Sequence, residues 1–339
     1  MIIRIISFTK NGNALAKRIS EFLIDDKVEI IDSNDSVEDT IKDSFEYGIP
    51  LIFIGSMGIA VRKISPYIKD KLTDPPVIVL DEKGEFVIPV LSGHVGGGNR
   101  LSRFIAEGIS SKAVITTATD VNGKFSVDEF ATENDMLILN RDGIKRVAKK
   151  VLEGESVSVF FDENNEFSFE KIKGILKKES NVKIAEPDKK DPVDICITSE
   201  SKKDLPGSLI LIPKRYVLGI GCKKGTDVRE IENFVNKVLN KYGIDIKEVG
   251  AVASIDLKRN ETGILKFASK IKAKTYFYDS ETLNRAEGDF SESDFVKQVT
   301  GVSNVCERAA VTAAGKDCET IIKKIVGNGI TLALTKRKY

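Results

Sequence analysis

The chain has 339 residues, enough for about two domains and a substantial core. Its 52 Lys and Arg residues nearly balance 51 Asp and Glu residues, so a net charge of +1 excludes the overall positive field that draws proteins to nucleic acid or membranes. The four cysteines are scattered without a CxxC pair, which argues against a cysteine-based zinc site and favours a reduced, cytoplasmic setting.

Strands and helices alternate from the N-terminus to about residue 139. The opening MIIRIISFTK predicts a β-strand and not a signal peptide, and no apolar run is long enough to span a bilayer. Further strands are predicted at 28–31, 50–55, 77–81 and 86–91, with helices at 12–22, near 37–46, after 57 and after 98. This alternation predicts a mostly parallel sheet that is covered on both faces.

The pattern changes near residue 140, where one helix is followed by short alternating runs such as SVSVFF. We predict a small β-containing linker module over 140–214. A second α/β domain begins at RYVLGIG, continues through an apolar helical stripe at 231–242, and ends in a hairpin around Asn328-Gly329. The predicted fold class is therefore α/β, with two mostly parallel-sheet domains, 1–139 and 215–339, joined by the module.

Ligands of open parallel sheets bind beyond the carboxyl ends of the strands. Four turns of this kind stand out, namely Gly55-Ser56-Met57-Gly58, Gly93 to Gly98, Thr116 to Asp120, and Gly219 to Thr226. Glycines at a helix N-terminus let backbone N–H groups meet an anion, and Arg100 and Arg103 oppose the helix dipole unless an anion lies there. A purely structural role in tight turning explains any single one of these turns equally well, but it is less favoured at 93–98, where three consecutive glycines lie beside the lone histidine.

A nucleotide is the first anion to consider, and the sequence argues against it. Gly93 and Gly98 have phosphate-loop spacing, but Asn99-Arg100 replaces the Lys-Ser/Thr pair that reaches phosphate and magnesium. No G-x-G-x-x-G follows a predicted strand. Carboxylates therefore compete well with phosphates as the bound anion.

His94, the only histidine in the chain, heads the glycine run in LSGHVGGGNR. Its ordinary pKa lies near neutrality, so it could be a general acid or base, or a metal ligand. No Ser-His-Asp or Cys-His arrangement can be assembled, which favours an activated water over a protein nucleophile. In the second domain, Lys258, Glu261 and Glu307 are explained by helix capping or surface charge about as well as by binding, and Cys222 by packing.

Five motifs, in order along nearly the whole chain, resemble the CbiG family of anaerobic cobalamin biosynthesis. They are LSGHVGGGNRLSRFIA, VITTATDVNGKFSVDEFA, LGIGCKKGT, ASIDLKRNETGILKFA and GVSNVCERAAVTAAG. The resemblance implies an N-terminal domain, a central linker and a C-terminal domain similar to CobE. Val95, Gly98 and Arg308 depart from the family pattern, which puts a strict role for residues 95 and 308 in doubt.

The resemblance implies a cobalt-precorrin-5A hydrolase, in which water opens the δ-lactone of a cobalt-bearing tetrapyrrole and acetaldehyde leaves. It makes His94 the candidate for activating water or assisting the leaving group, with axial contact to cobalt as a competing role. The implied substrate-binding residues form a catalytic side and a facing wall. They are Gly55, Ser56, Gly58, Gly93, Gly96, Gly97, Gly98, Asn99, Arg100, Thr116, Thr117 and Asp120 on the first, and Gly221, Cys222, Lys223, Lys258, Glu261 and Glu307 on the second.

No cofactor of the protein's own is expected, since cobalt enters with the substrate. The tetrapyrrole is the expected partner, together with neighbouring methyltransferases of the pathway, and neither nucleic acid nor a membrane is expected. Two alternatives stay open. One is a non-catalytic carrier of tetrapyrrole intermediates, which would bind the precursor and leave its lactone intact, and the other is an unrelated anion or nucleotide enzyme.

Overall fold

A computed structural model describes residues 1–32, 35–162, 169–185, 193–199, 205 and 207–338, except for the side chain of Phe295. The chain forms two compact units. The first contains Met1–Asp162 and Glu170–Leu211, and the second is formed mainly by Ile212–Tyr339. The three-part division at 139/140 and 214/215 stays a prediction, and parts of its central module, including 186–192 and 200–204, lie outside the described residues.

The N-terminal part of the first unit is a six-stranded sheet with helices. Its elements are β1 (Ile2–Ser7), α1 (Lys10–Ser20), β2 (Lys27–Ile31), α2 (Val37–Tyr47), β3 (Leu51–Ile54), α3 (Met57–Ile64), a 3₁₀ turn (Ser65–Tyr67), β4 (Val77–Leu80), β5 (Phe86–Leu91), α4 (Gly98–Ile109), β6 (Lys112–Ala113), α5 (Ala118–Val121) and α6 (Val127–Glu133).

Helices cover both faces of this sheet, as predicted. Successive side chains of a strand point to opposite faces, so Ile3 and Ile5 of β1 pack with α1 and α4, while Ile6 packs with α2 and α3. The runs LIFI of β3 and VIVL of β4 are wholly buried, as expected for strands covered on both faces. Apolar burial on two faces therefore stabilises the sheet.

One strand reverses the direction of the sheet. The strand order is β2-β1-β3-β4-β5-β6, and all described pairs are parallel except β4 with β5. Val77 pairs with Leu91 and Leu80 pairs with Val87, so the end of β5 lies beside the beginning of β4. Residues after β5 and after β6 consequently leave the sheet at the edge opposite to the one where β1, β3 and β4 end.

A second sheet of five strands completes the first unit. Its elements are β7 (Met136–Ile138), α7 (Arg141–Leu152), β8 (Val157–Asp162), α8 (Glu170–Leu176), β9 (Val182–Ile184), β10 (Ile195–Thr198) and β11 (Leu209–Pro213). The strand order is β7-β11-β10-β8-β9, with β8 parallel to both β10 and β9, and β10 parallel to β11. Four strands of this sheet, β8 to β11, lie in the predicted β-containing module, whereas β7 lies just before the predicted boundary.

The second unit holds another five-stranded sheet, in the order β14-β13-β12-β16-β15. Its elements are β12 (Tyr216–Cys222), α9 (Val228–Lys241), a 3₁₀ turn (Ile246–Glu248), β13 (Val249–Ile255), a 3₁₀ turn (Asp256–Lys258), α10 (Thr262–Lys270), β14 (Lys274–Tyr278), α11 (Ser280–Asn284), α12 (Asp294–Thr300), α13 (Val305–Ala314), β15 (Cys318–Gly327) and β16 (Ile330–Arg337).

Parallel strands β12, β13 and β14 meet an antiparallel C-terminal hairpin in this sheet. Asn328 and Gly329 at the hairpin turn have φ values of 52° and 75°, the pair of positive angles that a type I′ turn requires. The hairpin and the α/β fold class are thus confirmed. Within the described part of the chain, no helix is both long and apolar enough to cross a membrane.

Candidate functional site

The loop between β5 and α4 closes on itself through its backbone. The N–H groups of Gly98 and Asn99 donate to the carbonyl oxygens of Ser92 and Gly93, at 3.1 and 2.9 Å. Gly97 has a φ of 78° and donates to the carbonyl of His94 at 2.9 Å. The first two N–H groups of α4, which the sequence analysis assigned to an anion, are therefore used inside the loop.

Two glycines of this loop are required by close approach of neighbouring atoms. A Cβ at Gly93 would lie 2.5 Å from Oδ1 of Asn99, and a Cβ at Gly96 would lie 2.7 Å from the carbonyl oxygen of Ser92. Ser92 has a φ of 54°, and its hydroxyl donates to the carbonyl of Asp74 at 2.9 Å. The glycine run thus lets the loop fold tightly enough to hold His94 over the start of α4.

His94 lies between two carboxylates. Its Nε2 is 2.6 Å from Oδ2 of Asp120, and its Nδ1 is 3.3 Å from Oδ1 of Asp128. The hydroxyl of Ser126 lies 3.2 Å from Nδ1 and donates to Asp128 at 2.7 Å. Thr119 Oγ1 lies 3.4 Å from Nε2. Only 11% of the His94 side chain is exposed, so both nitrogens have partners in a largely buried position.

Asp120 binds three different donors. Oδ2 also accepts a hydrogen bond from Nδ2 of Asn99 at 2.9 Å, and Oδ1 is paired with the guanidinium of Arg103. Asn99 donates to Thr117 Oγ1 at 3.1 Å as well. Arg103 lies in the second turn of α4. The anion beside it, which the sequence analysis expected to be a ligand, is the carboxylate of Asp120. Asp120 thereby connects α4, α5 and the His94 loop.

These contacts set the protonation of the cluster. Hydrogen bonding to Asp128, and then to Asp120, raises the pKa of His94 to about 9 despite its burial. Burial alone would raise the pKa of Asp128, but hydrogen bonds from His94 and Ser126 lower it to about 2. Burial also opposes ionisation of Asp120, and its bonds with His94 and Arg103 outweigh that effect and lower its pKa. His94 is therefore an imidazolium between two carboxylates at neutral pH.

Glu129 is a third carboxylate at this cluster. Burial, and then repulsion from Asp120, raise its pKa. Ligand-type atoms of His94, Asp120 and Glu129 lie within 4.8 Å of one another, as a metal site would require. However, a hydrogen bond of 2.6 Å joins Nε2 to Asp120, and Arg103 contacts both acids, at 4.0 Å for Glu129. Because a proton and a guanidinium account for these contacts, we assign no metal to this set.

The structure separates two turns that the sequence analysis placed together. Gly55, Ser56 and Gly58 follow β3, at the edge where β1, β3 and β4 end, and Gly55 donates to the carbonyl of Leu80 at 2.8 Å. His94 lies at the opposite edge because β5 is antiparallel to β4. The intervening length of β4 is about 10 Å. The first unit therefore does not bring Gly55 to Gly58 beside His94.

Other predicted residues of the first unit do gather around His94. Thr117 and Asp120 contact Asn99 directly, and Thr116 is an exposed residue of the same segment. Arg100 is exposed, and its guanidinium lies close to Gly97, because a Cβ there would be 3.8 Å from it. Arg100 thus lies at the surface beside the His94 loop.

Some predicted residues of the second unit form a separate cluster at the ends of β12 and β13. Oε1 of Glu261 accepts a hydrogen bond from the N–H of Gly225 at 2.8 Å, and Oε2 accepts from Nζ of Lys258 at 3.1 Å. The thiol of Cys222 has a pKa raised mainly by burial and lowered in part by the charge of Lys258. Gly221 and the exposed Lys223 flank this thiol in the chain.

Glu307 serves a different purpose. Its side chain is almost fully buried and accepts hydrogen bonds from the N–H of Ser291 at 3.1 Å and of Lys324 at 2.7 Å, and from the Ser291 hydroxyl. Asn304 caps α13 through a 3.0 Å bond from the Glu307 N–H. The Glu307 carboxylate does not return to Asn304 as a capping box would. It instead joins α13 to the 291 loop and β15.

The sequence analysis did not assign Ser126, Asp128 or Glu129 to the site, and named Arg103 only as a helix cation. Three of these residues belong to the segment FSVDEFA, which entered only as part of a family motif. A lone histidine with a raised pKa requires nearby carboxylates. No fixed spacing marks them here, because Asp128 is 34 residues from His94 and reaches it through the fold.

Two family descriptions match this chain. Residues 39–120 match the family described as Cobalamin synthesis G N-terminal, and residues 216–335 match Cobalamin synthesis G C-terminus. The first match ends at Asp120, and the second contains Cys222, Lys258, Glu261 and Glu307. The cluster described above therefore extends beyond the first matched region, into α6.

Full-length relatives agree with these matches. A protein of Priestia megaterium named cobalt-precorrin-5A hydrolase is 34% identical over 312 residues, which cover 90% of this chain and 83% of the relative. One of Methanocaldococcus jannaschii named probable cobalt-precorrin-5A hydrolase is 33% identical and covers 98% of both chains. Protein CobE of Sinorhizobium sp is 33% identical over 119 residues, 35% of this chain and 77% of its own length. This chain belongs to the cobalamin synthesis G family.

Proposed function

We propose that the protein is a hydrolase that opens the δ-lactone of cobalt-precorrin-5A with water and releases acetaldehyde. Two relatives, named cobalt-precorrin-5A hydrolase and probable cobalt-precorrin-5A hydrolase, match at least 90% of the chain. The observation that carries the proposal is His94, which is held as an imidazolium between Asp120 and Asp128. A group that carries a proton at neutral pH suits a reaction in which an alkoxide leaves.

The reaction needs one proton donor and one acceptor. Water adds to the lactone carbonyl, and the ring C–O bond breaks as the departing oxygen takes a proton from His94. The new hydroxyl lies on the two-carbon unit. Loss of its proton and cleavage of the C–C bond to the macrocycle release acetaldehyde, while the electron pair and a proton remain with the macrocycle. The sum consumes one water and no oxidant.

The hydrogen bonds of His94 restrict its possible roles. Its Nε2 is already bonded to Asp120, so a substrate oxygen must replace that carboxylate before it can receive the proton. An axial contact with cobalt would need the same displacement and also loss of the proton from Nε2. Proton donation starts from the imidazolium that Asp120 and Asp128 stabilise, and we therefore favour it over cobalt contact.

Each of the two clusters has exposed cations nearby, the kind of side chain that binds carboxylates. Arg100 lies beside the His94 loop, and Lys223 and Lys224 lie in the turn after β12. Charge-assisted hydrogen bonds to carboxylates are the interactions that such side chains make most strongly. Cobalt enters with this substrate in the proposal, and the protein supplies the proton-transfer group and the carboxylate contacts.

The direct test supplies purified protein with cobalt-precorrin-5A and traps acetaldehyde. The wild type should release acetaldehyde, and His94→Ala should lower the rate by roughly 10²–10⁴, the usual contribution of a general acid or base. Glu133→Gln, an exposed acid on α6, is a matched control that should keep the rate. Tight binding of the precursor with an unchanged mass would instead support the carrier function.

A further inference from the structure

We propose that Asp128 is a positioning residue, which holds the ring of His94 from the Nδ1 side so that Nε2 presents its proton toward the reacting oxygen. The consequence for the rate rests on the hydrolase function proposed above. The consequence for His94 itself does not, because it can be measured without substrate. Neither of the two matched family regions includes Asp128, because the first ends at Asp120 and the second begins at residue 216.

The geometry at Nδ1 is that of a fixed orienting group. Oδ1 of Asp128 is 3.3 Å from Nδ1, and the Ser126 hydroxyl, 3.2 Å from the same nitrogen, donates to Oδ1 at 2.7 Å. Ser126 therefore uses its own proton on Asp128 and can only accept from the ring. Both atoms that face Nδ1 are acceptors, which requires Nδ1 to carry a proton.

Asp120 at the other nitrogen has different neighbours. Its Oδ2 also accepts from Asn99, and its Oδ1 is paired with Arg103. The partners of Asp120 can satisfy its charge when a substrate oxygen takes its place at Nε2. Asp128 receives no such cation among its contacts in the described residues, and its charge is balanced by His94. This asymmetry makes Asp128 the permanent partner and Asp120 the exchangeable one.

The charged groups around the ring agree with this division. From α5 the ring faces Asp120, from α6 it faces Asp128 and Glu129, and Arg103 of α4 lies behind Asp120. Hydrogen bonding to Asp128 is the largest single influence that raises the pKa of His94. When a substrate displaces Asp120, Asp128 can still hold the imidazolium ring from the Nδ1 side. The ring then stays oriented, and Nε2 stays protonated.

The single histidine makes the first test unambiguous. In an NMR titration, the one imidazole Cε1–H signal reports His94 alone, and its pKa in the wild type should lie near 9. Asp128→Asn should lower that pKa by about one unit or more, as expected for the loss of a neighbouring opposite charge. Glu133→Gln should leave it unchanged. An unchanged His94 pKa in folded Asp128→Asn protein would overturn the proposal.

The second test separates positioning from folding. With cobalt-precorrin-5A, kcat of Asp128→Asn should fall tenfold or more, its alkaline limb should move down with the measured His94 pKa, and KM should change little. Ser126→Ala, which keeps the carboxylate, should show a smaller change in the same direction. A KM effect alone would contradict the proposal. If the wild type releases no acetaldehyde, the hydrolase function fails while the NMR result still decides the role of Asp128.

Discussion

Asp120, His94 and Asp128 carry negative, positive and negative charges in turn. The stability that these charges contribute depends on pH. The pKa of His94 is raised in the folded protein to about 9 from an ordinary value near 6.5, and that of Asp128 is lowered to about 2. Folding therefore favours the protonated ring and the ionised acid. The protonated His94 ring therefore makes its full contribution to the free energy of unfolding below pH 6.5. This contribution is lost as the pH rises toward 9.

A variant at His94 should reveal this dependence. The difference in melting temperature between the wild type and His94→Gln should be largest near pH 5, where the ring is protonated in both states and Asp128 is ionised. It should shrink between pH 6.5 and 9 as the unfolded chain, and then the folded one, loses the proton. Thermal unfolding followed by circular dichroism across this range measures it. A difference that is constant with pH would contradict the assigned charge on His94.

Only some of the elements that carry the site could be predicted from their patterns, since α5 and α6, which carry Asp120 and Asp128, were not predicted. Apolar runs gave the strands, and helical spacing placed α4 and α9, because both signals arise from burial on one or two faces. The direction of β5 was missed, although only residues 81–85 separate it from β4, too few for the crossover that a parallel pair needs. The apolar pattern alone is the same in a parallel or an antiparallel pair, and without the length of this connection Gly55 to Gly58 were placed beside His94 in error.

Helix α13 packs on β12 through a glycine, and this contact should govern the stability of the second unit. A Cβ at Gly219 would lie 1.8 Å from the carbonyl oxygen of Cys306, a backbone atom that cannot move aside alone. Gly219→Ala should therefore destabilise the protein by about 3 kcal/mol or more, as other overpacked cores do. Gly174→Ala in α8, where a Cβ meets nothing within 4 Å, should be neutral or slightly stabilising. Denaturant unfolding of both variants tests the contrast.

A methyl group added to the His94 loop should lower the activity of the protein more than its stability. At Gly93 the added Cβ would press on the side-chain amide of Asn99, which donates to Asp120. Gly93→Ala should reduce kcat at least tenfold, because movement of Asn99 and of the loop shifts His94 from its position. Gly123→Ala, in open space with a φ of 57°, should cost about 1 kcal/mol of stability without this loss. Equal rates for the two variants would disprove the link through Asn99.

The N-terminal and C-terminal parts of this nearly neutral chain carry opposite net charges. Residues 1–139 hold 21 acidic and 15 basic residues, while 215–339 hold 16 acidic and 22 basic residues. The net charges are −6 and +6, although the whole protein has +1. The overall charge thus gave no indication of an anionic partner. A local positive charge of this size in the C-terminal part is of the kind that attracts anions.

Binding of the proposed substrate should consequently weaken with salt. KM should rise as ionic strength increases, because screening shortens the Debye length from about 8 Å at 0.15 M to about 3 Å at 1 M. Exchanging both Lys223 and Lys224 for Gln should raise KM and flatten this dependence, with kcat little changed. The same exchange at the exposed Lys237 and Lys241 of α9 is the matched control. A KM independent of salt would exclude electrostatic recognition.

The reversal of β5 also bears on how the first sheet assembles. Leu80 and Val87, which pair across β4 and β5, are 7 positions apart in the chain, whereas Leu51 and Val77 are 26 apart and Arg4 and Leu51 are 47 apart. Short loops close fastest and at the lowest entropic cost. The hairpin that leads into the His94 loop can therefore pair before the parallel crossovers are complete, and in pulsed hydrogen exchange its amides should be protected first.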